Sequence, residues 1–598
     1  MLFKILLVLS QLLGFVYSDD RLMLHKTTEV PGEWLHATSE LNKNDPMNFK
    51  ILLHQNEKGL EKLENILNDI SNPHSLRYGQ YLSKNSIDDM LMNSDSRDTV
   101  MDWVSGVGGV HCSDNSDNLK CSGSIENVER LFHTNIRHYV NKDSGVSFLS
   151  ARHAGYSIPK TLDNSIDFVL GVVDFPQPLP TPKNHEVFDN ESYIVPISIQ
   201  QLYNISNRKF SKYATQSISE FQNNPCFNLD DLNNFTKDNN IPNITFPLGI
   251  HGQCNLTGLF PDVESSLDIQ YQWGVNYQTR QGYTTVGDWM FEFANDLYNS
   301  ENPPNVHSLS WGWSERDQCQ YNMDCIIGGD SEEYTKRTSD EFMKLGLRGV
   351  TIVASSGDAG ASGRTNENCD TSMPFLNPIF PAGSPWVLAA GGTIIMNASN
   401  ITFDNINNVS GSIPPLCKQY NCIKGGMEIN SNFDRCGWTS GGGFSNYFNR
   451  PWWQENASTS YLSSNATFPP SKYYNGDGRV YPDISAVSHN YLVRVGGDYQ
   501  AVDGTSASSP AISGMISMLN NLRVSQGRPV LGLFSPLLYE MYANCSGCFK
   551  DIVVGSNAAT EEGDCEYGYE ATTGYDAVYG VGVPNFDKIY EYVENLKR

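Results

Sequence analysis

Hydrophobic and polar positions follow two rhythms along the chain. Residues 49–53 (Phe-Lys-Ile-Leu-Leu) form an apolar run of strand length, and residues 60–70 repeat apolar positions at helical spacing. Residues 125–132 predict a second helix, 137–140 a strand and 168–173 a buried strand. This mixture predicts a compact α+β unit over 19–175. Pro176, Pro178, Pro180 and Pro182 then stand among polar residues and predict an exposed linker over 176–191, a plausible place for processing. From 192 to 598 helical patterns alternate with apolar strands. Residues 341–347 predict a helix, 349–354 a buried strand running into Ser355-Ser356-Gly357-Asp358, and 386–390 a further strand. The expected architecture is α/β, an open and largely parallel sheet flanked by helices, with sites at the carboxyl ends of strands.

One stretch in this second part combines pattern with chemistry. Gly504-Thr505-Ser506-Ala507-Ser508-Ser509-Pro510 precedes an amphipathic repeat of Ala511, Ile512, Met515, Ile516, Leu519 and Leu522. Proline has no N–H for a helix interior, so the helix must begin within a turn of Pro510. Ser506 therefore falls at a helix N-terminus, where unpaired amides and the dipole favour negative charge. That suits a nucleophilic serine, and it equally suits a polar loop capping a buried helix.

Two carboxylate motifs lie upstream. Glu264 and Asp268 follow Pro261 at i,i+4 spacing, which puts both on one helix face. In a desolvated cleft such a pair shares a proton, so one carboxyl serves as a base and the other orients it. On a solvated face the pair has no such role. Asp358 closes an apolar strand between glycines. Kept protonated, it donates to an oxyanion, whereas as a turn cap it does nothing of the kind.

Composition narrows the setting. The formal net charge of −26 over 598 residues repels nucleic acid and anionic membranes and favours work at low pH. Residues 1–18 read as a cleaved secretory signal: Lys4, an apolar run from Ile5 to Val16, then Ser18. No later segment is apolar enough to span a bilayer, so no membrane association is expected. Thirteen cysteines suit an oxidising compartment, with Cys112/Cys121, Cys319/Cys325 and Cys417/Cys422 as candidate short-loop disulfides and one thiol left over. Cys545 and Cys548 have no second pair at zinc spacing. Eleven sequons, at Asn190, Asn204, Asn234, Asn243, Asn255, Asn397, Asn400, Asn408, Asn456, Asn465 and Asn544, predict N-glycans.

Glu-x-x-x-Asp, Ser-Gly-Asp and Gly-Thr-Ser-Ala-Ser-x-Pro, in this order, resemble the sedolisin family of serine-carboxyl peptidases. Residues 72–83 resemble the family's propeptide signature, and residues 380–387, 440–445 and 479–484 resemble further family blocks. The resemblance covers nearly the whole chain. It implies a subtilisin-like peptidase domain over 192–598, preceded by a ferredoxin-like prodomain that inhibits it intramolecularly. It implies Ser506 as nucleophile, Glu264 as general base, Asp268 as the residue orienting Glu264 and Asp358 as the oxyanion-hole acid. A histidine-based triad is not expected, since Gln253-Cys254 breaks the nearest phrase, His251-Gly252. The resemblance also implies one structural calcium ion held by Asp551 and Asp576 and the carbonyls of Ile552, Thr572 and Gly574, a set of hard oxygens around tight turns. Residues 308–312 and 440–444 resemble stretches lining the substrate cleft. The activity implied is acid-acting release of tripeptides from free N-termini of peptides and proteins, by an enzyme made as a zymogen and delivered to the lysosome or secreted. Endopeptidase action and a catalytically silent binding glycoprotein are the alternatives.

Overall fold

The computed structural model describes residues 20–23, 30–38, 40–142, 145–175, 183–188, 191–205, 213–221, 226–252, 254–286, 289–318, 331–398 and 413–596. Contacts divide the chain into two units, one made chiefly of Met1–Glu57 and Leu91–Phe175, the other of Lys58–Met90, Pro176–Gln320 and Ser331–Arg598. The pattern of the sequence predicts a single unit over 19–175. Residues 58–90 instead fall in the larger unit, with Leu63, Leu67, Ile70 and Ile87 buried.

In the smaller unit the strands Pro46–Leu53, Val110–Asp114, Asn118–Ser124 and Ile166–Leu170 and the helices Ser94–Val107 and Ile125–Phe132 alternate as βαββαβ. The sheet is antiparallel, and the first and third of these strands lie at its centre. That order is the ferredoxin-like arrangement. Alternation along the first strand turns Met47, Phe49, Ile51 and Leu53 to one side, where they pack with Trp103, Val128 and Phe132. Ser124 caps the second helix by accepting from Asn127 N at 3.3 Å.

The larger unit is built on an eight-stranded sheet. Its strands are β1 (Thr215–Phe221), β2 (Ile250–His251), β3 (Arg280–Val286), β4 (Val306–Leu309), β5 (Thr351–Ser355), β6 (Leu388–Met396), β7 (Met427–Asn430) and β8 (Ile484–Val487). They run in the order β2-β3-β1-β4-β5-β6-β7, with β8 also on β6, and every pairing but β6–β7 is parallel. Every residue of β1, β4 and β5 is buried, as a parallel sheet covered on both faces requires. Helices α1 (Val263–Val275), α2 (Ser331–Leu347) and α3 (Thr505–Ser525) belong to this unit.

α3 is not the amphipathic helix its apolar repeat predicts. It is buried from Thr505 to Arg523, serines and asparagines included. Several of its polar residues bond within the unit: Ser508 Oγ donates to Thr505 O at 2.8 Å, Ser513 Oγ to Pro510 O at 2.9 Å, and Asn520 Oδ1 accepts from Leu531 N at 2.9 Å, whereas Ser517 Oγ has no partner among the described residues. Gly514 allows close packing, since a Cβ there would meet Gln272 O of α1 at 3.1 Å.

Disulfides join Cys112–Cys121, Cys226–Cys254, Cys369–Cys565, Cys417–Cys422 and Cys545–Cys548, and Cys436 is the free thiol among the described residues. The predicted Cys319/Cys325 pair lies outside those residues. Among them no helix is long and apolar enough to cross a membrane.

Candidate active site

The parallel strands deliver the chemistry to one edge of the sheet. Glu220 is the penultimate residue of β1, Ser310 follows β4, and Asp358 follows β5 by three residues. These are carboxyl ends, where a parallel sheet opens its crevice. α1 and α3 complete the site. Asp262 caps α1 by accepting from Ser265 N at 2.7 Å, which sets Glu264 in the first turn and Asp268 one turn on. Both carboxyls are buried, at 1% and 0% exposure, so the pair is not a solvated helix face.

Ser506 is the second residue of α3, 8% exposed, and its hydroxyl faces the Glu264 carboxyl. Burial, and then the charge of Asp268, push Glu264 well above the usual carboxylate range, and Ser506 opposes the shift. Burial likewise pushes Asp268 up, against the Ser310 hydroxyl, which lies 2.9 and 2.8 Å from its two oxygens. Glu264 Oε1 has no hydrogen-bond partner among the described residues.

Ser310 links these groups to the backbone of the nucleophile. Pro510 cannot donate to Ser506 O four residues before it. That carbonyl lies 3.2 Å from Ser310 Oγ instead. The proline thus leaves open an acceptor that ties α3 to the base pair, a reason for its place inside the helix. Ser509 Oγ adds contacts to Ser308 Oγ at 2.9 Å and Val353 O at 3.3 Å.

Asp358 is half-buried across the start of α3. Its Oδ1 accepts from Thr505 N at 2.7 Å and Thr505 Oγ1 at 2.8 Å, and Gly357 N donates to Thr505 Oγ1 at 3.1 Å. Gly504 holds φ at 121°, a conformation that favours glycine, and a Cβ there would lie 2.8 Å from Asp358 Oδ2. Residues 439–441 run against this turn: Thr439 N donates to Asp358 O at 2.8 Å and Gly441 N to Gly357 O at 2.7 Å.

Two further participants had no sequence signal of their own. Glu220 is fully buried, accepts from Trp311 Nε1 at 3.1 Å, and leaves Oε1 without a partner among the described residues. Burial, then Asp268 and Glu264, push its carboxyl well above the usual range. Glu315 ties the 308–312 segment to the 440–445 segment, accepting from Ser445 Oγ at 2.5 Å and Asn446 N at 2.9 Å, with its carboxyl pushed up to about 7 by burial. Among the described residues no histidine is hydrogen-bonded to Ser506, Glu264, Asp268 or Asp358. His251 is exposed and contacts Leu248 O at 2.9 Å, and His489 pairs with Asp503 at 2.9 Å.

The two other sequence-derived features have definite places. Lys183–His185 pairs antiparallel with Asp498–Asp503, which ends three residues before Ser506. Residues 176–182 and 189–190 of the expected linker lie outside the described residues. Asp551 and Asp576 stand close enough for the charge of the first to raise the second. Gly574 N donates to Asp551 at 2.7 Å, and Thr572, Val578 and Tyr579 amides donate to Asp576 at 3.1, 3.0 and 2.8 Å. The carbonyls of Ile552, Thr572 and Gly574 accept no hydrogen bond from the described residues. Two carboxylates with three open carbonyls fit a hard cation.

Comparison with known proteins agrees with this geometry. Residues 34–175 match the pro-kumamolisin activation domain and residues 275–529 the subtilase family. The chain is 35% identical to physarolisin of Physarum polycephalum over 543 residues, 90% of this chain and 92% of that protein. It is 28% identical to tripeptidyl-peptidase 1 of Homo sapiens over 599 residues, covering 95% and 94% of the two chains. Against the tripeptidyl-peptidase 1 of Dictyostelium discoideum the identity is 29% over 594 residues, with 90% and 87% covered. Among solved structures, a Pseudomonas sedolisin, complexed with two molecules of pseudo-iodotyrostatin, aligns over 67% of this chain and 98% of its own, with TM-score 0.50 and 22% identity. With its activation domain, its subtilisin-like sheet and a relative of this identity over almost its full length, the chain belongs to the sedolisin family of serine-carboxyl peptidases.

Proposed function

We propose that this peptidase works in acid, releasing tripeptides from free N-termini, and is made as a zymogen that matures at low pH. The observation that carries the reading is the meeting of the Ser506 hydroxyl with the buried Glu264 carboxyl, with Asp268 buried one turn along and Asp358 across the start of α3. Glu264 takes the hydroxyl proton as Ser506 Oγ attacks the scissile carbonyl, and returns it to the leaving amine. Asp268, held by Ser310, orients the base. Asp358 keeps Oδ1 on Thr505 and uses a proton on Oδ2 to hold the tetrahedral oxygen. A carboxyl can donate to an oxyanion only while it carries its proton, which is why the reading calls for acid.

In the precursor, the strand Lys183–His185 lies beside the residues that lead to Ser506, which supports cutting of the chain near this strand. Asp551, Asp576 and the carbonyls of Ile552, Thr572 and Gly574 would hold one Ca2+, whose charge would offset the two carboxylates and fix the two loops. The expected secretory signal at 1–18, the disulfides and the exposure of Asn204, Asn234, Asn243, Asn255, Asn397, Asn456, Asn465 and Asn544 support glycosylation and the secretory pathway, ending in the lysosome or outside the cell.

Endopeptidase action is the second reading, because the chain is less identical to the tripeptidyl-peptidases, at 28–29%, than to physarolisin, at 35%, whose name carries no tripeptidyl specificity. Incubating the precursor in acid and sequencing products from free and N-acetylated peptides separates the two. Tripeptides from free N-termini alone support the first reading, and equal cleavage of acetylated peptides supports the second.

A further inference from the structure

Residues Lys58–Met90 belong by contact to the larger unit, although in sequence they stand inside the leader. Their helix, Glu57–Ser71, buries Leu63, Leu67 and Ile70. Leu67 meets α2 at Gly346, where a Cβ would approach its methyls to 3.3 Å. The chain then turns at Gly79, whose N donates to Ile70 O at 2.8 Å, and Leu82 N caps the last residue of α2 by donating to Leu347 O at 2.8 Å.

Tyr81 fills a slot between two glycines. A Cβ on Gly349 would lie 2.7 Å from its ring, and one on Gly532 would lie 2.5 Å from its hydroxyl. On the leader's side, a Cβ on Gly79 would lie 2.6 Å from Pro529. All three glycines have positive φ, which alone explains a glycine in a turn. It does not explain why three such turns open onto one interface with no room for a methyl group. The Tyr81 hydroxyl donates to Val530 O at 2.8 Å, and the Arg523 guanidinium, on the last turn of α3, stands 5.5 Å from the Tyr78 ring. Burial pushes Tyr78 up to about 12, so its phenol stays neutral in acid.

This slot lies at the amino end of β5, where Thr351 Oγ1 bonds Gly532 O, while Asp358 follows the carboxyl end of that strand. The length of β5 separates the two, so Tyr81 cannot reach a substrate at Ser506. We propose that the peptidase unit carries a docking groove for the leader's Tyr78–Tyr81 turn, built by Gly349, Pro529, Val530 and Gly532, that anchors the leader without occluding the cleft. This deepens the zymogen reading by separating the anchor at 58–90 from the strand at 183–185 that lies near the nucleophile.

Hydrogen exchange on the full Ser506→Ala chain tests it without needing activity. Tyr81→Ala should speed exchange tenfold or more over 346–350 and 529–532 and leave 441–444 unchanged. Tyr81→Phe, which keeps the ring, should change it only a few-fold. A synthetic 57–91 peptide, added to protein freed of its leader by acid incubation, should bind at micromolar concentration and leave kcat and KM for a short peptide unaltered. Unchanged exchange in Tyr81→Ala, equal binding of wild-type and Tyr81→Ala peptides, no binding at all, or competition with substrate would each overturn the proposal. Failure of acid incubation to free the leader would count against the peptidase reading, and the exchange result would still decide this one.

Discussion

As the proposed base, Glu264 must be ionised in surroundings that resist its charge. Burial, Asp268 and Asp262 all push its carboxyl up, and only the Ser506 hydroxyl favours the ion. Because the buried carboxyls interact, protons leave the group in shared steps, and the first loss creates the base. Asp262→Asn tests this field cleanly, since asparagine caps a helix as well as aspartate does. Removing that charge eases ionisation of Glu264, so the acid limb of the kcat/KM profile should move to lower pH with little loss of maximal rate. Ser506→Ala should abolish cleavage, and Asp358→Ala should lower kcat by about 10²–10³-fold, the usual effect of deleting an oxyanion donor. Assays of folded, processed variants measure both. At this scale the four proposed catalytic residues were legible because each sits in a motif of distinctive spacing. Glu220 was not, and Ser310 was legible only as part of the 308–312 stretch. A lone glutamate in Ser217-Ile218-Ser219-Glu220-Phe221 reads as a strand's polar face until the sheet is seen covered on both sides, and Ser310 acquires meaning only when Asp268 and Ser506 O converge on it.

α3 sets the site as an element. Its first turn presents Ser506, its Pro510 leaves Ser506 O for Ser310, and its entry at Gly504 passes against Asp358. Gly504→Ala should therefore displace Asp358 and strain the backbone. The expected outcome is a large fall in kcat with KM much less affected, in a protein whose circular dichroism is unchanged. The start of this helix was legible from the proline and the small residues around Ser506. Its burial was not, because serine and asparagine count as polar in a periodicity reading, yet here Ser508, Ser513 and Asn520 bond within the unit. For the same reason residues 60–70 were legible as a helix, whereas their membership of the larger unit depends on Gly346, Gly349 and Gly532, far away in sequence.

For the molecule as a whole, the buried acids fix how stability depends on pH. Glu220, Glu264, Asp268 and Glu315 all have folded values raised by burial above the unfolded carboxylate value. The folded state therefore holds protons that the unfolded chain releases above pH ~4.5, and stability falls as pH rises through the folded values. For Glu315 the window runs from 4.5 to about 7, which corresponds to ~3 kcal/mol at 1.36 kcal/mol per unit. The melting temperature of the processed protein should decline steadily between pH 4.5 and 7.5, and a rise across that interval would contradict the burial of these groups. Cys369–Cys565 closes 196 residues of sequence, and replacing both cysteines should cost about 2–5 kcal/mol of stability, read from denaturant unfolding in acid. The architecture at this scale was legible in outline, because apolar strands alternating with helices admit few folds. Which carboxyl ends meet was not, since that depends on strand order. The central claim is that a carboxylate does the base's work, and the pH–rate profile of the processed protein on a short peptide measures it most directly. A bell with its maximum in acid and little turnover at pH 8 is the predicted result, and full activity at pH 8 would contradict it.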